Sequence, residues 1–113
     1  MGELTAIVTM KALDGLTARS MATAQNIANA QTPGYRPVRV SFENALAEAS
    51  ASGVAAVETV KPTFETDPRS PAGEVRLDLE LATASSTSAR YSALVELLNR
   101  QLQIAALAVS GGR

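Results

Sequence analysis

The sequence predicts a mainly α protein in which long N- and C-terminal helices pair as an antiparallel coiled coil. Apolar residues recur with helical spacing at both ends of the 113-residue chain, and Pro and Gly cluster between them. Residues 1–31 and 82–113 are therefore expected to form one helical domain. Residues 32–81 are expected to form an irregular or extended connecting segment, and whether that segment contains a small sheet is open at this stage.

The first predicted helix runs from about Glu3 to Ala30, without Pro and with Gly15 as its only internal glycine. Its apolar stripe is built from small and medium side chains, which allow close approach of a partner helix but give less burial per contact. The stripe follows a three-four spacing through Leu13, Leu16, Ser20, Thr23, Ile27 and Ala30.

The middle segment begins with a predicted turn. Thr32-Pro33-Gly34 ends the first helix, since the residue before Pro avoids the α region and Pro-Gly suits the centre of a type II turn. Alternation of Val38, Val40 and Phe42 with polar residues then predicts a short extended segment. A brief helix over residues 42–50, capped by Ser41, is expected next.

The rest of the middle segment is expected to be extended or irregular. Residues 54–61 are weakly extended in pattern, and Pro62, Pro68, Pro71 and Gly73 predict a loop. Apolar residues then alternate with charged ones, which favours a strand with Asp78 and Glu80 on its solvent face; the apolar members are Val75, Leu77, Leu79 and Leu81.

The last predicted helix runs from about Ala82 to Val109. The Ser and Thr residues at 83–88 leave its start open, because any of them could cap it. Its stripe is broader than one partner helix requires, so contacts beyond a simple hairpin are expected; the stripe comprises Tyr91, Leu94, Val95, Leu98, Leu102, Ala105 and Val109, widened by Leu97, Ile104 and Leu107. Each terminal helix is expected to span roughly 40 Å.

The composition argues against catalysis and against cofactor or metal binding. The chain has no Cys and no His, so thiolate and imidazole catalysis are absent, and no Gly-rich phosphate loop is present. Asp78 and Glu80 are too few for a hard-cation site. We therefore expect no enzyme activity, with no catalytic residue, cofactor or metal site. A net charge of −1 without a basic cluster also argues against nucleic acid as a partner.

The N-terminus lacks the features of a cleaved secretion signal. Glu3 and Asp14 interrupt any apolar run, and no positively charged region precedes them. No segment approaches the roughly 20 apolar residues of a membrane-spanning helix. We therefore expect no direct membrane insertion, and export, if it occurs, by a route without a cleaved leader.

The segment from Asn26 to Tyr35 is the most distinctive part of the sequence. Asn26 and Asn29 share one helix face near its end, just before the predicted turn. One interpretation is simply a helix terminus followed by a tight turn, because Asn favours such positions. The other is that the Asn amides bond neighbouring backbone and fix a register. The pattern alone leaves both open.

These residues resemble the signature of the flagellar basal-body rod protein family. The resemblance lies in Asn26-Ile27-Ala28-Asn29 and, two residues later, in Thr32-Pro33-Gly34-Tyr35. Residues 36–46 and 90–102 are similar to the proximal-rod member of that family, and the resemblance as a whole covers both terminal zones, about two thirds of the chain. Met21 replaces the usual Leu, residues 73–75 lack the Asn often found there, and the middle segment is short for the family.

The resemblance implies a subunit of the periplasmic rod, exported by the flagellar type III apparatus without a cleaved signal. Implied partners are other copies of the chain, other rod proteins, and the MS ring, export-gate and rod-adaptor proteins at the rod base. The terminal helices would form the coiled coil, with assembly contacts through Leu13, Leu16, Ile27, Tyr91, Leu94, Val95, Leu98, Leu102 and Val109. The alternatives are another short rod protein, or a free-standing helical-hairpin secretion adaptor or chaperone.

Overall fold

The computed structural model describes residues 2–71 and 73–111. They are 70% helical, which confirms the mainly α class, and they contain a two-stranded antiparallel sheet in the middle segment. The elements are α1 (Glu3–Ala28), β1 (Val38–Ser41), α2 (Glu43–Ser52), α3 (Val54–Glu58), β2 (Thr63–Thr66) and α4 (Leu77–Gly111).

Helices α1 and α4 contact each other and run in opposite directions. Asn26, near the end of α1, bonds Glu80 at the start of α4, while Leu16, earlier in α1, lies beside Thr87 and Tyr91, later in α4. The helices differ in length, with 26 and 35 residues. At ~1.5 Å per residue they span about 39 and 52 Å. The expectation of roughly 40 Å for each helix therefore fits α1 but was wrong for α4, and the molecule is elongated, with extents of 64 × 27 × 14 Å.

The strand predicted over residues 75–81 is instead the beginning of α4, which starts at Leu77. Its residues alternate in polarity, but Leu and Glu are good helix formers. The negative charges of Asp78 and Glu80 also interact favourably with the positive, N-terminal end of the helix dipole. The start of α4 therefore lies five residues before the predicted one. The Ser and Thr residues at 83–88 lie inside the helix and do not cap it.

Two local expectations in the middle segment also require correction. Residues 54–58 form the short helix α3 and are not extended. The brief helix expected after β1 exists as α2, but its N-cap is Phe42, which makes no side-chain capping bond, so Ser41 is not the cap. Gly53, at φ +106°, separates α2 from α3 in a conformation that suits glycine.

The sheet places the middle segment against α1. Strand β1, which the alternation of Val38 and Val40 predicted, pairs with β2 so that Val38 lies opposite Thr66 and Ser41 opposite Thr63. Strand β1 contacts α1, whereas all four residues of β2 are exposed. The sheet thus joins the chain after α1 to the loop that leads into α4.

A small apolar core lies between α1 and the middle segment. Gly15 is buried in α1 because the Phe42 ring lies directly over it. Close approach of the ring is possible only because Gly15 has no Cβ. The buried members of this core are Leu16, Ala18, Ala22, Val40, Phe42, Leu46 and Val57.

Replacing Gly15 with Ala is expected to destabilise the fold. An added Cβ would overlap the Phe42 ring, so the ring must move. Overpacking of this kind costs about 1–3 kcal/mol, against a gain of about 1 kcal/mol in helix propensity. Urea unfolding should show a lower midpoint for Gly15→Ala. Gly111→Ala is the control, because nothing lies near a Cβ there; an equal or higher midpoint for Gly15→Ala would contradict this packing.

Candidate functional site

The turn after α1 has the geometry that its sequence predicted. The Tyr35 backbone N–H donates to the Thr32 carbonyl at 3.2 Å, and Gly34 has φ +77°. A positive φ at the third residue is the requirement of a type II turn. The turn itself is exposed at Thr32, Pro33 and Gly34. It reverses the chain so that the next residues return along the end of α1.

Asn26 is the buried centre of this region, with none of its surface exposed. Its Nδ2 donates to the Val38 carbonyl at 3.0 Å and to Glu80 Oε2 at 3.1 Å. Its Oδ1 accepts from the Tyr35 hydroxyl at 2.7 Å and from the Val38 N–H at 2.8 Å. The two donors and two acceptor sites of the amide are therefore all used. One side chain connects α1, β1 and α4.

Asn29 behaves differently from Asn26. Its Nδ2 donates to the Gln25 carbonyl one turn back, and its Oδ1 accepts from the Thr32 hydroxyl at 3.1 Å. These bonds satisfy groups at the helix terminus. The interpretation that an Asn amide bonds neighbouring backbone thus fits Asn26, and the helix-terminus interpretation fits Asn29. Between them, Ile27 is half-buried and Ala28 is exposed.

Glu80 is buried beside Asn26, which contradicts its expected position in solvent. Its Oε1 accepts from Arg39 Nη1 at 2.7 Å, and Arg39 lies 3.7 Å from Asp67. A buried carboxylate requires such a partner, because removal from water is costly. We call Asn26 and Glu80, which are buried, together with Tyr35 and Arg39, which are half-buried, the polar cluster. Among the described residues, no buried side-chain polar atom lacks a hydrogen-bond partner.

The electrostatics of the cluster are visible at Tyr35. Burial raises the pKa of the Tyr35 hydroxyl above its usual value, and the Glu80 charge raises it further, while Arg39 opposes the shift. The hydroxyl therefore stays protonated and donates to Asn26. The cluster thus holds protons and charges in fixed places. Its role is structural: it holds the start of α4 against α1 and β1.

The sequence pattern indicates Asn26 and Tyr35 as candidate site residues but not Arg39 or Glu80. Glu80 lies 54 residues from Asn26 and 41 from Arg39 along the chain. Local spacing contains no information about partners at such distances. The one available signal was a carboxylate flanked by helix-forming Leu residues, which the alternating pattern obscured.

A second polar contact connects α1 to the beginning of α2. Arg19 donates through two nitrogens to the Glu43 carboxylate at 2.7 and 2.8 Å, and also to the Val40 carbonyl at 2.7 Å. Its guanidinium lies 4.9 Å from the centre of the Phe42 ring. Arg90 of α4 lies 3.5 Å from the same carboxylate. Mainly through the Arg19 hydrogen bond, the pKa of Glu43 falls to about 2.

The contact between Arg19 and Glu43 is expected to make the stability of the fold sensitive to acid. Because the folded pKa of Glu43 is about 2 against an ordinary 4.5, its contribution is present above about pH 4.5 and is lost as the pH falls towards 2. Glu43→Gln is expected to lower the unfolding midpoint at neutral pH and to have little effect near pH 2.

Urea titrations of both proteins at about pH 6 and about pH 2 measure this difference. Asp67 and Asp78 also have lowered pKa values, from the backbone N–H of Arg69 and the side chain of Arg76 respectively. The variant should therefore keep part of the acid sensitivity. A difference between the two proteins that is equal at both pH values would exclude the role of Glu43.

The predicted packing residues fall into three groups. Leu16 is buried and Leu94 packs against the core, whereas Leu13, Ile27, Val95 and Leu98 are half-buried. Tyr91, Leu102 and Val109 are exposed. The far part of α4 is uncovered, with Leu102, Ile104, Leu107 and Val109 between 51 and 72% exposed. Leu102 and Val109 lie on one side of the helix and Ile104 and Leu107 on the opposite side; the four residues together are called the distal apolar surface. Residues 101–111 include no charged side chain.

Within residues 2–71 and 73–111, no cluster of acidic residues could hold a metal ion, and no helix is long and apolar enough to cross a membrane. No protein-family model matches the chain, and no curated protein matches it. The functional expectations drawn from the resemblance therefore stay predictions.

Proposed function

We propose that the chain is a structural subunit of the bacterial flagellar rod, nearest to the proximal-rod member of the family. The observation that carries the proposal is the distal apolar surface of α4, whose four large apolar residues are 51–72% exposed. Exposed apolar surface of this kind marks a site of protein contact. An assembling subunit provides the cover that its own chain lacks.

The motif that carries the resemblance also has a physical role that suits a rod subunit. Asn26, Val38 and Tyr35 fix the chain after the turn against α1, and Glu80 fixes the start of α4 at the same point. A subunit in a lattice needs its contact helices held at a constant angle and register. A fully satisfied polar cluster with a buried centre is suited to specify a single arrangement.

In the proposed rod, α1 and α4 pair as an antiparallel coiled coil that packs with those of neighbouring subunits around the export channel. The partners are other copies of the chain, other rod proteins, and the MS ring and export-gate or rod-adaptor proteins at the rod base. The subunit reaches the periplasm through the flagellar export apparatus. Its function is structural and not enzymatic.

The test is to locate the subunit in basal bodies isolated from the bacterium that encodes it. Density maps of basal bodies with and without the gene should differ at the base of the rod. The difference density should accommodate a subunit about as long as the 64 Å extent of the chain. Complete rods in the deletion strain, or the protein outside the basal body, would refute the proposal.

A helical-hairpin adaptor is the second candidate, and the core between α1 and the middle segment favours it because that core gives one copy ordered structure. Such an adaptor would remain a soluble monomer or dimer and would not co-purify with basal-body proteins. Sedimentation and co-purification from membrane fractions distinguish it from a rod subunit. A different short rod protein would instead be distinguished by its axial position in the density map.

A further inference from the structure

Strand β2 has an open outer edge in the part of the chain that the structure describes. All four of its residues are exposed, and it packs mainly on β1. The Asp67 N–H donates to the Pro37 carbonyl, in the same register as the paired strand residues. Because alternate residues of an antiparallel strand bond its partner, Glu65 also bonds β1. The N–H and C=O groups of Phe64 and Thr66 therefore point away from β1.

The open edge is short and has a defined chemistry. Pro62 and Pro68 occupy the next outward-pointing positions and have no N–H to donate. The edge thus offers the backbone of Phe64 and Thr66, with Glu65 between them. Glu65 forms no ion pair with another described residue, and Phe64 is 56% exposed. A matching strand therefore needs a central cation and an apolar residue opposite Phe64.

Strand β2 of a second copy does not meet this requirement. An antiparallel pair of β2 strands that used the backbone of Phe64 and Thr66 would place Glu65 opposite Glu65, and like charges directly opposite are destabilising.

A search of the basic residues of the chain leaves one suitable segment. Residues in helices and in β1 already use their backbone groups, and a residue beside Pro lacks a neighbouring N–H that the pairing needs. Arg113 lies outside the described residues. These conditions leave Arg76 and exclude the helical Lys11, Arg19, Arg90 and Arg100, the β1 residue Arg39, and the Pro neighbours Arg36, Lys61 and Arg69.

The segment Val75-Arg76-Leu77 fits the open edge of β2. Residues 74–76 precede α4 and belong to no helix or strand. The Arg76 side chain is 61% exposed, and Leu77 is 43% exposed. In one antiparallel register the cation lies opposite the free carboxylate and apolar or β-branched residues flank it; the pairs are Arg76 with Glu65, Leu77 with Phe64, and Val75 with Thr66.

This register is compatible with the beginning of α4. The pairing leaves the Arg76 backbone unused, so the Arg76 carbonyl keeps its bond from the Glu80 N–H at 3.0 Å. Val75 makes no backbone bond to another described residue, and the Leu77 N–H belongs to the first turn of α4, where N–H groups lack helical partners. Arg76 would exchange its exposed bond to Asp78, a kind of ion pair that contributes little.

We infer that the open edge of β2 in one copy binds Val75-Arg76-Leu77 of a second copy. The inference rests on the proposed rod assembly and names one contact within it. The segment of the same copy is held elsewhere, since the Gly73 N–H bonds the Tyr35 carbonyl and Glu80 bonds Asn26. The two surfaces are different parts of the chain, so the contact is heterologous and continues from copy to copy.

Cysteine cross-linking tests the register, because the chain has no cysteine of its own. Full-length Glu65→Cys and Arg76→Cys proteins are mixed at the concentration where the protein assembles and are then oxidised. Thr63→Cys replaces Glu65→Cys in the control, since Thr63 is also exposed and lies on the same face of β2. The mixed dimer should exceed the control dimer roughly tenfold, because docking raises the effective thiol concentration. A yield equal to the control overturns the inference, and so does a predominant dimer of two Glu65→Cys copies.

Charge reversal tests the same pair without a covalent bond. Glu65→Arg alone and Arg76→Glu alone should each weaken association about fivefold in sedimentation experiments, because an attractive pair becomes a repulsive one. The double variant should recover association, since every copy then carries both reversed charges. Arg69→Glu, at a side chain that is 92% exposed, is the control and should associate normally. A double variant no better than the single ones contradicts the contact.

The outcomes also separate this contact from the rod function. Rods that assemble normally with Glu65→Arg reject the contact and keep the rod function. A specific cross-link between Glu65→Cys and Arg76→Cys in a protein that is absent from basal bodies rejects the rod function and keeps the contact.

Discussion

Replacing Asn26 with Asp is expected to lower the free energy of unfolding by about 3–5 kcal/mol, because it places a second carboxylate against the buried Glu80. The Asn26 Nδ2 donates to the Val38 carbonyl and to Glu80 Oε2. In the variant a carboxylate oxygen would face both of these oxygens. Two buried carboxylates would then share a single close cation, Arg39. The change is nearly isosteric, so the effect reports electrostatics and not volume.

A second substitution tests whether the loss of stability arises at the contact between Asn26 and Glu80. In the double variant Asn26→Asp with Glu80→Gln, the amide and the carboxylate exchange places, so the amide introduced on α4 can again donate to the side chain on α1. We expect this pair to recover a measurable part of the loss, and a double-mutant cycle from urea unfolding gives the coupling. Asn29→Asp is the matched control, because Asn29 bonds only within its own helix end and turn. Equal losses for Asn26→Asp and Asn29→Asp would disprove the role of the cluster.

The features of the fold that local sequence determines were predictable. The end of α1 follows from Thr32-Pro33-Gly34, since Pro and Gly restrict the backbone whatever the rest of the chain does. Strand β1 follows from the alternation of Val38 and Val40. Strand β2 was missed because it lies between Pro62 and Pro68. Its Thr63-Phe64-Glu65-Thr66 sequence does have β propensity, which was the available signal.

The start of α4 could not be predicted, because two local signals conflict there. Alternating polarity in residues 75–81 favours a strand, while the helix propensity of Leu and Glu favours a helix. Tertiary contacts decide between them: a helix places Glu80 against Asn26 and Arg39. Those partners are distant in sequence, so burial of Glu80 emerges only when the whole chain is folded.

Local sequence also determines only part of the candidate site. The sequence indicated that Asn26 and Asn29 share a helix face. In the structure the two residues have different roles, because the chain that returns as β1 bonds only Asn26. Only Asn26 lies where β1 begins, since Val38 supplies both a donor and an acceptor to it. The turn at Pro33-Gly34 sets that return. The motif therefore acts as one unit, with the turn positioning the backbone that Asn26 binds.

Replacing Leu107 with Asp is expected to abolish assembly while leaving the isolated subunit folded. Leu107 is 71% exposed, so a charge there loses little hydration in the monomer, and surface changes of this kind stay within about 0.5 kcal/mol. In an assembled contact the same carboxylate would be buried without a partner, at a cost of several kcal/mol. Thermal unfolding of the purified protein should be unchanged, and cells with the variant should lack complete rods and motility.

Two control variants test whether the position of the added charge matters or only its presence. Ala47→Asp adds the same charge at an exposed position of α2, and Leu107→Met keeps an apolar side chain, so both should assemble. Leu98→Asp should also block assembly, but Leu98 is half-buried, so its charge lowers monomer stability as well and makes it the less selective test. Normal rods with Leu107→Asp would show that the distal apolar surface stays outside the assembled contacts. Equal failure of Ala47→Asp would show that added surface charge itself prevents assembly.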